Sequence, residues 1–430
     1  MNIMKSTTLA IQHLLAMYAG AILVPLIIGS AIGFDSTQMT YLVAIDIMMC
    51  GIATLLQVYS GKFIGIGLPV VLGCTFTAVS PIIAIGTNPE QGITAIYGSI
   101  IASGVIVIII AGFFGKLVKF FPPVVTGSVV SIIGISLLPV ALNNMAGGQG
   151  AADFASGSNV ALAFITLAII LVVYRFSTGF IRAISILIGL VSGTVIGILM
   201  GKVDFTPVSE ADTLHMVQPF YFGMPTFDIA SILTMTLVAM VSLVESTGVY
   251  FALSDICKKK LDSKDLARGY RSEGLASVIG GLFNAFPYTT FSQNVGLVRM
   301  SGAKERKVIY ITGAMLVALG FLPKVAALTT IIPTSVLGAA MLAMFGMVIT
   351  QGMGMLVPVM NESAENAMIA AVAVGLGVGV SIVPEIFAAL PKGIAIITSN
   401  GIVCGSVTAI LLNVLFNMIG PNRKKHVVYK

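Results

Sequence analysis

The stretch FNAFPYTTFSQNVGLVRMSG, residues 283–302, constrains the fold of this chain most strongly. It places Asn284, Gln293 and Asn294 in a sequence otherwise apolar enough to lie within a membrane. Pro287 has no backbone N–H and disfavours helical backbone at the preceding residue, and the residues after it favour strands, so a continuous helix is not expected. Interrupted backbone at membrane depth has to be buried by protein or line a wet cavity, which is how transporters build binding sites.

The composition indicates a polytopic membrane protein. Of 430 residues, 57% are hydrophobic and 9% are charged, and the mean hydropathy is +1.03; soluble domains average about 25% charged residues. A spanning helix needs about 20 apolar residues, which predicts an all-α protein of fourteen transmembrane segments with both termini on one side. Two segments, near 68–86 and 288–302, are short and broken. The full-length segments lie near 8–30, 37–58, 91–113, 121–142, 158–175, 180–200, 228–252, 266–285, 306–323, 332–351, 364–383 and 394–420.

The basic residues favour one orientation of these segments. If the N-terminus lies inside, all but three of the 23 Lys and Arg residues fall in inner loops or at inner ends, as short cytoplasmic loops require. The three exceptions are Lys202, Lys324 and Lys392. We therefore predict that both termini are cytoplasmic. Topology explains the net charge of +6, so no nucleic-acid partner is predicted.

The two broken segments would be the third and tenth crossings, which are equivalent positions if a unit of seven crossings is repeated once. An odd unit inverts its second copy, and paired interruptions in inverted repeats mark a binding site near the membrane midplane. A strand-like run at 73–77, followed by a half-helix from about Ala78, would pair with the run at 287–296. Antiparallel pairing would satisfy the backbone and direct two half-helix N-termini at one point, where electron-rich ligand atoms are favoured.

Glu245 is the strongest functional candidate among the ionisable residues within the predicted spans. It lies in the middle of VAMVSLVESTGVYFAL, with no Lys or Arg nearby in sequence. A charged group at the bilayer centre costs at least about 2.5 kcal/mol, so such residues are functional candidates by default. The alternative is a structural acid that is hydrogen-bonded between helices.

Three further ionisable residues lie within predicted spans. Glu273 is near Arg268 and Arg271, so an interfacial ion pair is the alternative to a functional role. His13 is either a proton site or a satisfied structural group. Asp46 either faces an outer vestibule or is structural, and a structural role is favoured for it. The four cysteines have no spacing typical of a metal site or a disulfide framework, so we predict no metal and assign them no chemistry.

The side chains of the broken segments restrict the class of solute. A glutamine amide donates and accepts in one plane, which matches the N–H and C=O edges of a heterocyclic base. Four aromatic residues would offer a stacking face: Phe76, Phe286, Tyr288 and Phe291. A sugar or amino-acid carrier could contain the same residue types. These observations alone therefore predict a proton-coupled carrier of a small polar solute.

QNVGLVRMSG, residues 293–302, resembles the signature of the nucleobase-ascorbate transporter family: Gln or Glu, Asn, any residue, Gly, four residues, Thr, then a basic residue or Gly. Ser301 stands where Thr is usual and keeps the hydroxyl. The resemblance covers nearly the whole chain. It includes the segments QHLLAMYAGAILVPLI, LVESTG, EGLASVIGGLFNAFP and IIPTSVLGAAMLAMFG.

The resemblance implies fourteen crossings in two inverted seven-segment repeats, with the substrate held between a core and a gate. The core would comprise 1–115 and 227–325, the gate 116–226 and 326–420, and a basic cytoplasmic tail would follow at 421–430. A bacterial cytoplasmic membrane protein surrounded by lipid is implied, as is a homodimer.

The resemblance also assigns the site. Glu245 would hydrogen-bond the base, and Gln293 would hold its other edge; Gln at this position is similar to the xanthine and urate branch of the family, whereas Glu is similar to uracil carriers. Glu273, where many relatives have Asp, and His13 would serve proton coupling. The implied substrate-binding residues are Glu245, Gln293, Asn294, Phe76 and Ser292.

The function implied is proton-coupled uptake of a purine, xanthine first, by an elevator-type movement of core against gate. The proton is the coupling ion and no other cofactor is predicted. A urate permease is the alternative within the class, and an anion carrier or channel of the same architecture lies outside it. Glu245 argues against an anion site. An enzyme is not predicted, because no metal-ligand cluster and no nucleophile with its base is visible.

Overall fold

The computed structural model describes residues 2–117, 120–214, 217–390, 398 and 400–419. The predicted inner Lys119, the predicted outer Lys392 and the tail at 421–430 lie outside these residues. The chain divides into two compact units. The first comprises Met1–Gly115 and Leu138–Met344, and the second comprises Lys116–Leu137 and Phe345–Lys430.

The described residues are mostly helical, with two short strands. The helices are α1 Ile3–Ile32, α2 Ser36–Val58, α3 Val79–Gly86, α4 Gly92–Leu117, α5 Pro123–Met145, α6 Gly157–Phe176, α7 Gly179–Ala183, α8 Ser185–Leu199, α9 Thr206–Glu210, α10 Ile229–Cys257, α11 Ser263–Leu282, α12 Ser292–Ser301, α13 Arg306–Gly320, α14 Pro323–Thr330, α15 Thr334–Glu362, α16 Ala364–Ile382 and α17 Gly401–Asn413. The strands are β1 Leu72–Cys74 and β2 Tyr288–Thr290. Short 3-10 turns cover Phe76–Ala78 and Pro384–Phe387, and a π-helical stretch covers Val414–Ile419.

Nine of the described helices are long and apolar enough to cross a membrane, and a tenth span results if α13 and α14, bent by 80°, are counted together. The chain is therefore a multi-pass membrane protein, as predicted. The other four predicted crossings are not long apolar helices in the structure, each for a reason that the structure shows. Two are strand and half-helix, one is divided at Ile184 between α7 and α8, and α11 has the length of a span but a charged first half. The count of fourteen stays a prediction.

The helices around the strands begin at aspartate caps, a local signal in the sequence. An aspartate carboxylate that accepts a backbone N–H satisfies one of the donors left free at a helix N-terminus. The N–H of Asp265 donates to Asp262 before α11 at 2.7 Å, and this bond lowers the pKa of Asp262. Equivalent bonds at 2.8 Å join Asp35 to Gln38 before α2 and Asp228 to Ser231 before α10.

β1 and β2 form an antiparallel pair, as predicted, although β1 starts and ends earlier than the predicted run. The backbone N–H of Thr75 donates to the carbonyl of Pro287 at 3.0 Å, and that of Phe291 donates to Val71 at 2.9 Å. Each interruption thus satisfies the backbone of the other, which allows irregular backbone to be buried in a membrane protein. The register is Leu72 with Thr290, Gly73 with Thr289 and Cys74 with Tyr288.

We call residues 72–78 the first break and residues 287–292 the second break. Both belong to the first unit, in which α2 packs against α1, α11, α13, α14 and β1. The closest approach is between α2 and α13: a Cβ on Gly51 would come within 2.7 Å of the carbonyl oxygen of Gly313. The absence of a side chain at Gly51 therefore permits the backbone contact that positions α2 behind the first break.

The second unit has its own apolar core. It is formed by α16 and α17, which pack on each other, together with the first half of α5 and the second half of α15. Most of the core residues are small or β-branched, which allows close helix packing in a membrane. They are Val124, Val125, Leu356, Ile369, Ala370, Ala373 and Ala409.

Candidate functional site

α10 packs against both breaks and is hydrogen-bonded to each of them. The hydroxyl oxygens of Ser242 and Thr75 lie 3.2 Å apart, which joins α10 to the first break. One helical turn later, the hydroxyl of Ser246 lies 3.1 Å from that of Thr289 in the second break. Glu245 lies between these two contacts on α10. The helix is therefore fixed at the height where the breaks meet.

The Glu245 side chain is partly buried. Within the described part of the chain, its carboxylate has neither a hydrogen-bond partner nor an ion-pair partner. The alternative in which this acid is hydrogen-bonded between helices is therefore not what the structure shows. A carboxylate that can accept several hydrogen bonds lies beside two interruptions of the backbone.

Gln293 and Ser292 form the first turn of α12, where the second break ends. Both side chains are partly buried, and no side chain caps this helix. The first N–H groups of a helix have no partner within it, so the start of α12 offers donors to a ligand. The first break differs, because the Thr75 hydroxyl accepts from the N–H of Thr77 and caps the turn there.

The two half-helix starts do not meet at a point. Each helical segment begins where its strand ends, so the antiparallel pairing places Phe76 and Ser292 at opposite ends of the three-residue ladder. At about 3.4 Å per residue this ladder is about 7 Å long. The two N-termini therefore flank the strand pair from its two ends.

The predicted stacking face is wrong for three of its four aromatic residues. Phe286, Tyr288 and Phe291 are 1%, 2% and 4% exposed, so they belong to the interior of the first unit. The ring of Phe291 packs so tightly on α1 that a Cβ on Gly20 would come within 2.7 Å of it. Only Phe76 is partly exposed, at the end of the first break.

Asn294 joins α12 to α1. Its Nδ2 lies 3.0 Å from Nδ1 of His13 and donates to the His13 carbonyl at 3.2 Å. Both residues are almost fully buried. If Nδ1 accepts this bond, the proton of the neutral imidazole is on Nε2. Nε2 of His13 and Oδ1 of Asn294 have no hydrogen-bond partner among the described residues. Asn294 thus supports the Gln293 segment and does not itself face an open site.

We expect Asn294→Ala to lower thermal stability, because it leaves a buried ring nitrogen of His13 unpaired and removes a second hydrogen bond to the His13 carbonyl. The loss should be roughly 1–3 kcal/mol. Thermal unfolding in detergent measures it, beside His13→Ala and the double variant. The pair should show a coupling energy of at least about 0.5 kcal/mol in this cycle. Additive effects of the two substitutions would mean that this contact does not hold α12 on α1.

Glu273 lies at the centre of a buried hydrogen-bond network. It is 3% exposed, and its carboxylate accepts from Ser246 at 3.0 Å and from the hydroxyl of Tyr250. The Tyr250 hydroxyl in turn accepts from the amide of Gln57 on α2. Ser246 is adjacent to Glu245 in sequence and also contacts the second break. The network therefore extends from Glu273 to the second break.

The alternative of an interfacial ion pair for Glu273 is not what the structure shows. Arg268 pairs with Asp265 on the outward side of the same helix, and the guanidinium of Arg271 lies 4.6 Å from the ring centroid of Phe63. These near neighbours in sequence point elsewhere, because residues two and five positions away do not share the direction of Glu273 on α11. The carboxylate is compensated by hydroxyl donors and not by a cation.

Asp46 does not face an outer vestibule, and its burial agrees with the structural role favoured from the sequence. It is fully buried and accepts from the thiol of Cys74, and the Tyr288 hydroxyl lies 3.5 Å from its Oδ1. The Cys50 thiol, one turn along α2, lies 4.0 Å from its Oδ2. The fold thus brings together two cysteines whose separation of 24 positions gave no motif, because β1 packs on α2.

Comparison with known proteins links this geometry to transport. Residues 4–386 match the model of a family described as the Permease family. The chain is 61% identical over 420 residues to the xanthine permease of Bacillus subtilis (strain 168), covering 98% of this chain and 95% of that protein. It is 58% identical over 421 residues to the uric acid permease PucK of the same organism, covering 98% and 97%.

The fold is similar to that of a solved bicarbonate transporter. The transmembrane domain of the cyanobacterial transporter BicA superposes with a TM-score of 0.60 at 17% sequence identity, covering 95% of this chain and 97% of that domain. At this identity the similarity shows the fold alone.

Proposed function

Because the chain belongs to this permease family, the nucleobase-ascorbate transporter family of its signature motif, we propose that it is a proton-coupled purine uptake permease of a bacterial cytoplasmic membrane. It is a transporter and not an enzyme, as predicted from the sequence. One observation carries the proposal. The carboxylate of Glu245 has no protein partner among the described residues, and it lies between two contacts that join α10 to both breaks.

Glu245 and Gln293 would bind the two edges of the base. The Glu245 carboxylate accepts from ring N–H groups, and bonds to a charged acceptor are about twice as strong as neutral ones. The Gln293 amide donates to a carbonyl of the base and accepts from an N–H in the same plane. The backbone at Phe76 and Ser292 would complete the site, since these residues begin the helical segments that follow the two strands.

Xanthine is the substrate that we propose first, and urate is the second candidate. The relative named a xanthine permease and the relative named a uric acid permease are 61% and 58% identical to this chain, so both names bear on the choice. The two purines differ by one oxo group at the edge of the pocket. Unlabelled urate and xanthine, competing for labelled xanthine uptake over the same concentration range, rank them directly. Stronger competition by urate would reverse the order.

Proton coupling is assigned to Glu273 and His13, with the proton as the only coupling ion. Glu273 is buried among hydroxyl donors and has no cation beside it, so its charge can be exchanged for a proton within the network. His13 is held by Asn294 next to the second break. Both groups thus lie behind the proposed substrate site and not in it.

We further propose the architecture implied by the family. Fourteen crossings form two inverted repeats, the core (1–115 and 227–325) moves as an elevator against the gate (116–226 and 326–420), and both termini are cytoplasmic. The antiparallel pairing of two breaks, one from each half of the chain, supports the inverted repeat. The distribution of Lys and Arg supports the orientation.

Gln293→Glu should weaken xanthine uptake or change the order of competing purines. It replaces a donor and acceptor by a group that mostly accepts and places a second carboxylate beside Glu245. A lost hydrogen bond to a buried ligand costs roughly 1–3 kcal/mol, which is roughly a 5- to 150-fold loss of affinity.

Gln38→Glu is the matched control for this variant. Gln38 accepts from the N–H of Asp35 in the capping box of α2, where glutamate makes the same bond. Uptake by the control should equal that of the parent. If Gln293→Glu also keeps the parental uptake and the parental competition profile, Gln293 does not contact the substrate.

A further inference from the structure

Three residues with metal-binding side chains cluster in the first unit, apart from the proposed purine site. One ligand atom each from Asp46, Cys50 and Cys74 lies within 4.8 Å of the other two, and all three residues are fully buried. The Cys74 thiol donates to Oδ2 of Asp46, and the Cys50 thiol lies 4.0 Å from the same oxygen. The Tyr288 hydroxyl lies 3.5 Å from the other carboxylate oxygen.

This carboxylate has no cation beside it among the described residues. A buried charged group is normally paired, strongly hydrogen-bonded or bound to a metal. The hydrogen-bonding neighbours of Asp46 are two thiols, which are weak donors, a hydroxyl at the limit of hydrogen-bond distance and the backbone N–H of Phe286. Two of these four donors are thiols, which can release their protons and bind a cation, so the cluster can exchange two protons for one divalent ion.

The donor set selects the class of ion. Two thiolates with one carboxylate favour soft or borderline cations, whereas Mg²⁺ and Ca²⁺ prefer sites made of oxygen alone. Zn²⁺ binds sulfur at about 2.3 Å and carboxylate oxygen at about 2.0–2.2 Å, usually with four ligands in a tetrahedron. Ligand atoms in such a site are separated by about 3.5–4 Å. The widest separation in the cluster therefore shortens by at most about 1 Å when the ion binds, while the hydrogen-bonded Cys74 sulfur and Asp46 oxygen move apart to admit the ion.

We propose that Asp46, Cys50 and Cys74 bind one Zn²⁺ ion or a similar thiophilic divalent cation, with Tyr288 beside the fourth position. Asp46 and Cys50 are one turn apart on α2 and point in the same direction. Cys74 is on β1, and Tyr288 is its partner in β2. Each thiol releases its proton to bulk water as the ion binds. The ion would join the strand pair to α2, whichever solute the protein carries.

The test measures metal binding directly on untagged, detergent-purified protein. After equilibration with Zn²⁺ and desalting, elemental analysis should find about one ion per chain, and Co²⁺ should give the absorption of a thiolate-bound ion. The chain offers a matched control, because Cys257 and Cys404 lie outside the cluster. The Cys257→Ser/Cys404→Ser double variant should bind the ion as the parent does.

Cys50→Ser and Cys74→Ser should each lose at least about tenfold in metal affinity, since even outer partners of a metal contribute that much. Zn²⁺ should raise the thermal unfolding temperature of the double variant but not that of Cys74→Ser. A parent protein that retains no ion overturns the proposal, whatever the folding of the variants. Parental binding by well-folded Cys50→Ser and Cys74→Ser proteins overturns it equally, because the ion is then held elsewhere.

Discussion

Glu245→Gln should reduce gradient-driven purine uptake to near background, while the protein reaches the membrane in normal amounts. The amide keeps the size of the side chain and one acceptor, and the contacts of Ser242 and Ser246 with the breaks are untouched, so the fold should survive. The amide does not titrate, so it cannot take up the coupled proton, and it makes no charge-assisted hydrogen bond to the base. Hydrogen bonds to charged groups contribute about 1.5–3 kcal/mol, which is more than about a tenfold loss of affinity.

Xanthine binding measured by calorimetry across pH, beside uptake by the same preparations, tests this expectation. In the parent protein the affinity should change with pH, because substrate and proton compete for or share one carboxylate. The Glu245→Gln variant should lose that dependence. Glu210→Gln, an exposed change of the same kind at the end of α9, is the control. Parental binding, accumulation and pH profile in Glu245→Gln would remove this residue from the site.

Glu273→Gln should abolish accumulation against a gradient while sparing most of the binding of xanthine. Glu273 is a buried acceptor for Ser246 and Tyr250, and Ser246 is adjacent to Glu245 in sequence. Glutamine keeps an acceptor for one of these hydroxyls but takes up no proton. Uptake into proteoliposomes under an imposed pH gradient, with binding by calorimetry alongside, separates the two effects.

Tyr250→Phe is the informative companion to this variant. It keeps the carboxyl group of Glu273 but removes the hydroxyl that links it to Gln57. We expect it to bind xanthine and to shift the pH at which accumulation is fastest, because the carboxylate has lost a donor. Normal accumulation by Glu273→Gln over the whole pH range would make Glu273 a structural acid.

The sequence predicted the features that depend on local chemistry. Pro287 and the strand-forming residues after it predicted the second break, and the similar run around Gly73 predicted its partner. Only 9% of the residues are charged, so Glu245 and Gln293, which are polar residues in apolar segments, could be identified as candidates. The family signature, with Ser301 in place of Thr, predicted the family, and this prediction is confirmed.

Other features depend on how helices are rotated and crossed, which the sequence does not specify. Gln57 and Tyr250 are 193 positions apart, and they meet because α2 and α10 both pack around the strand pair. The arginines nearest to Glu273 in sequence suggested an ion pair as the alternative to a functional role, whereas its partners are Ser246 and Tyr250. The one available signal was Tyr250, a polar tip five residues after Glu245 within an apolar span.

The positions of the aromatic residues and the cysteines also depend on packing that the sequence does not specify. The aromatic ring of Phe291 is suited to stacking on a ligand. It lies in the interior, however, because Gly20 has no side chain to exclude it. Cys50 and Cys74 meet only after β1 packs on α2. A residue type restricts what a side chain can do, whereas the packing of the first unit decides whether it is exposed to do it.

Uptake of radiolabelled xanthine by purified protein in liposomes tests the proposed function most directly. With an imposed gradient that is acidic outside, we predict accumulation above the outside concentration, loss of that accumulation when the gradient is collapsed, and competition by unlabelled purines. Liposomes with Glu245→Gln protein should remain at background. Absence of xanthine uptake by the parent protein, or uptake that is indifferent to the pH gradient, would contradict a proton-coupled purine permease.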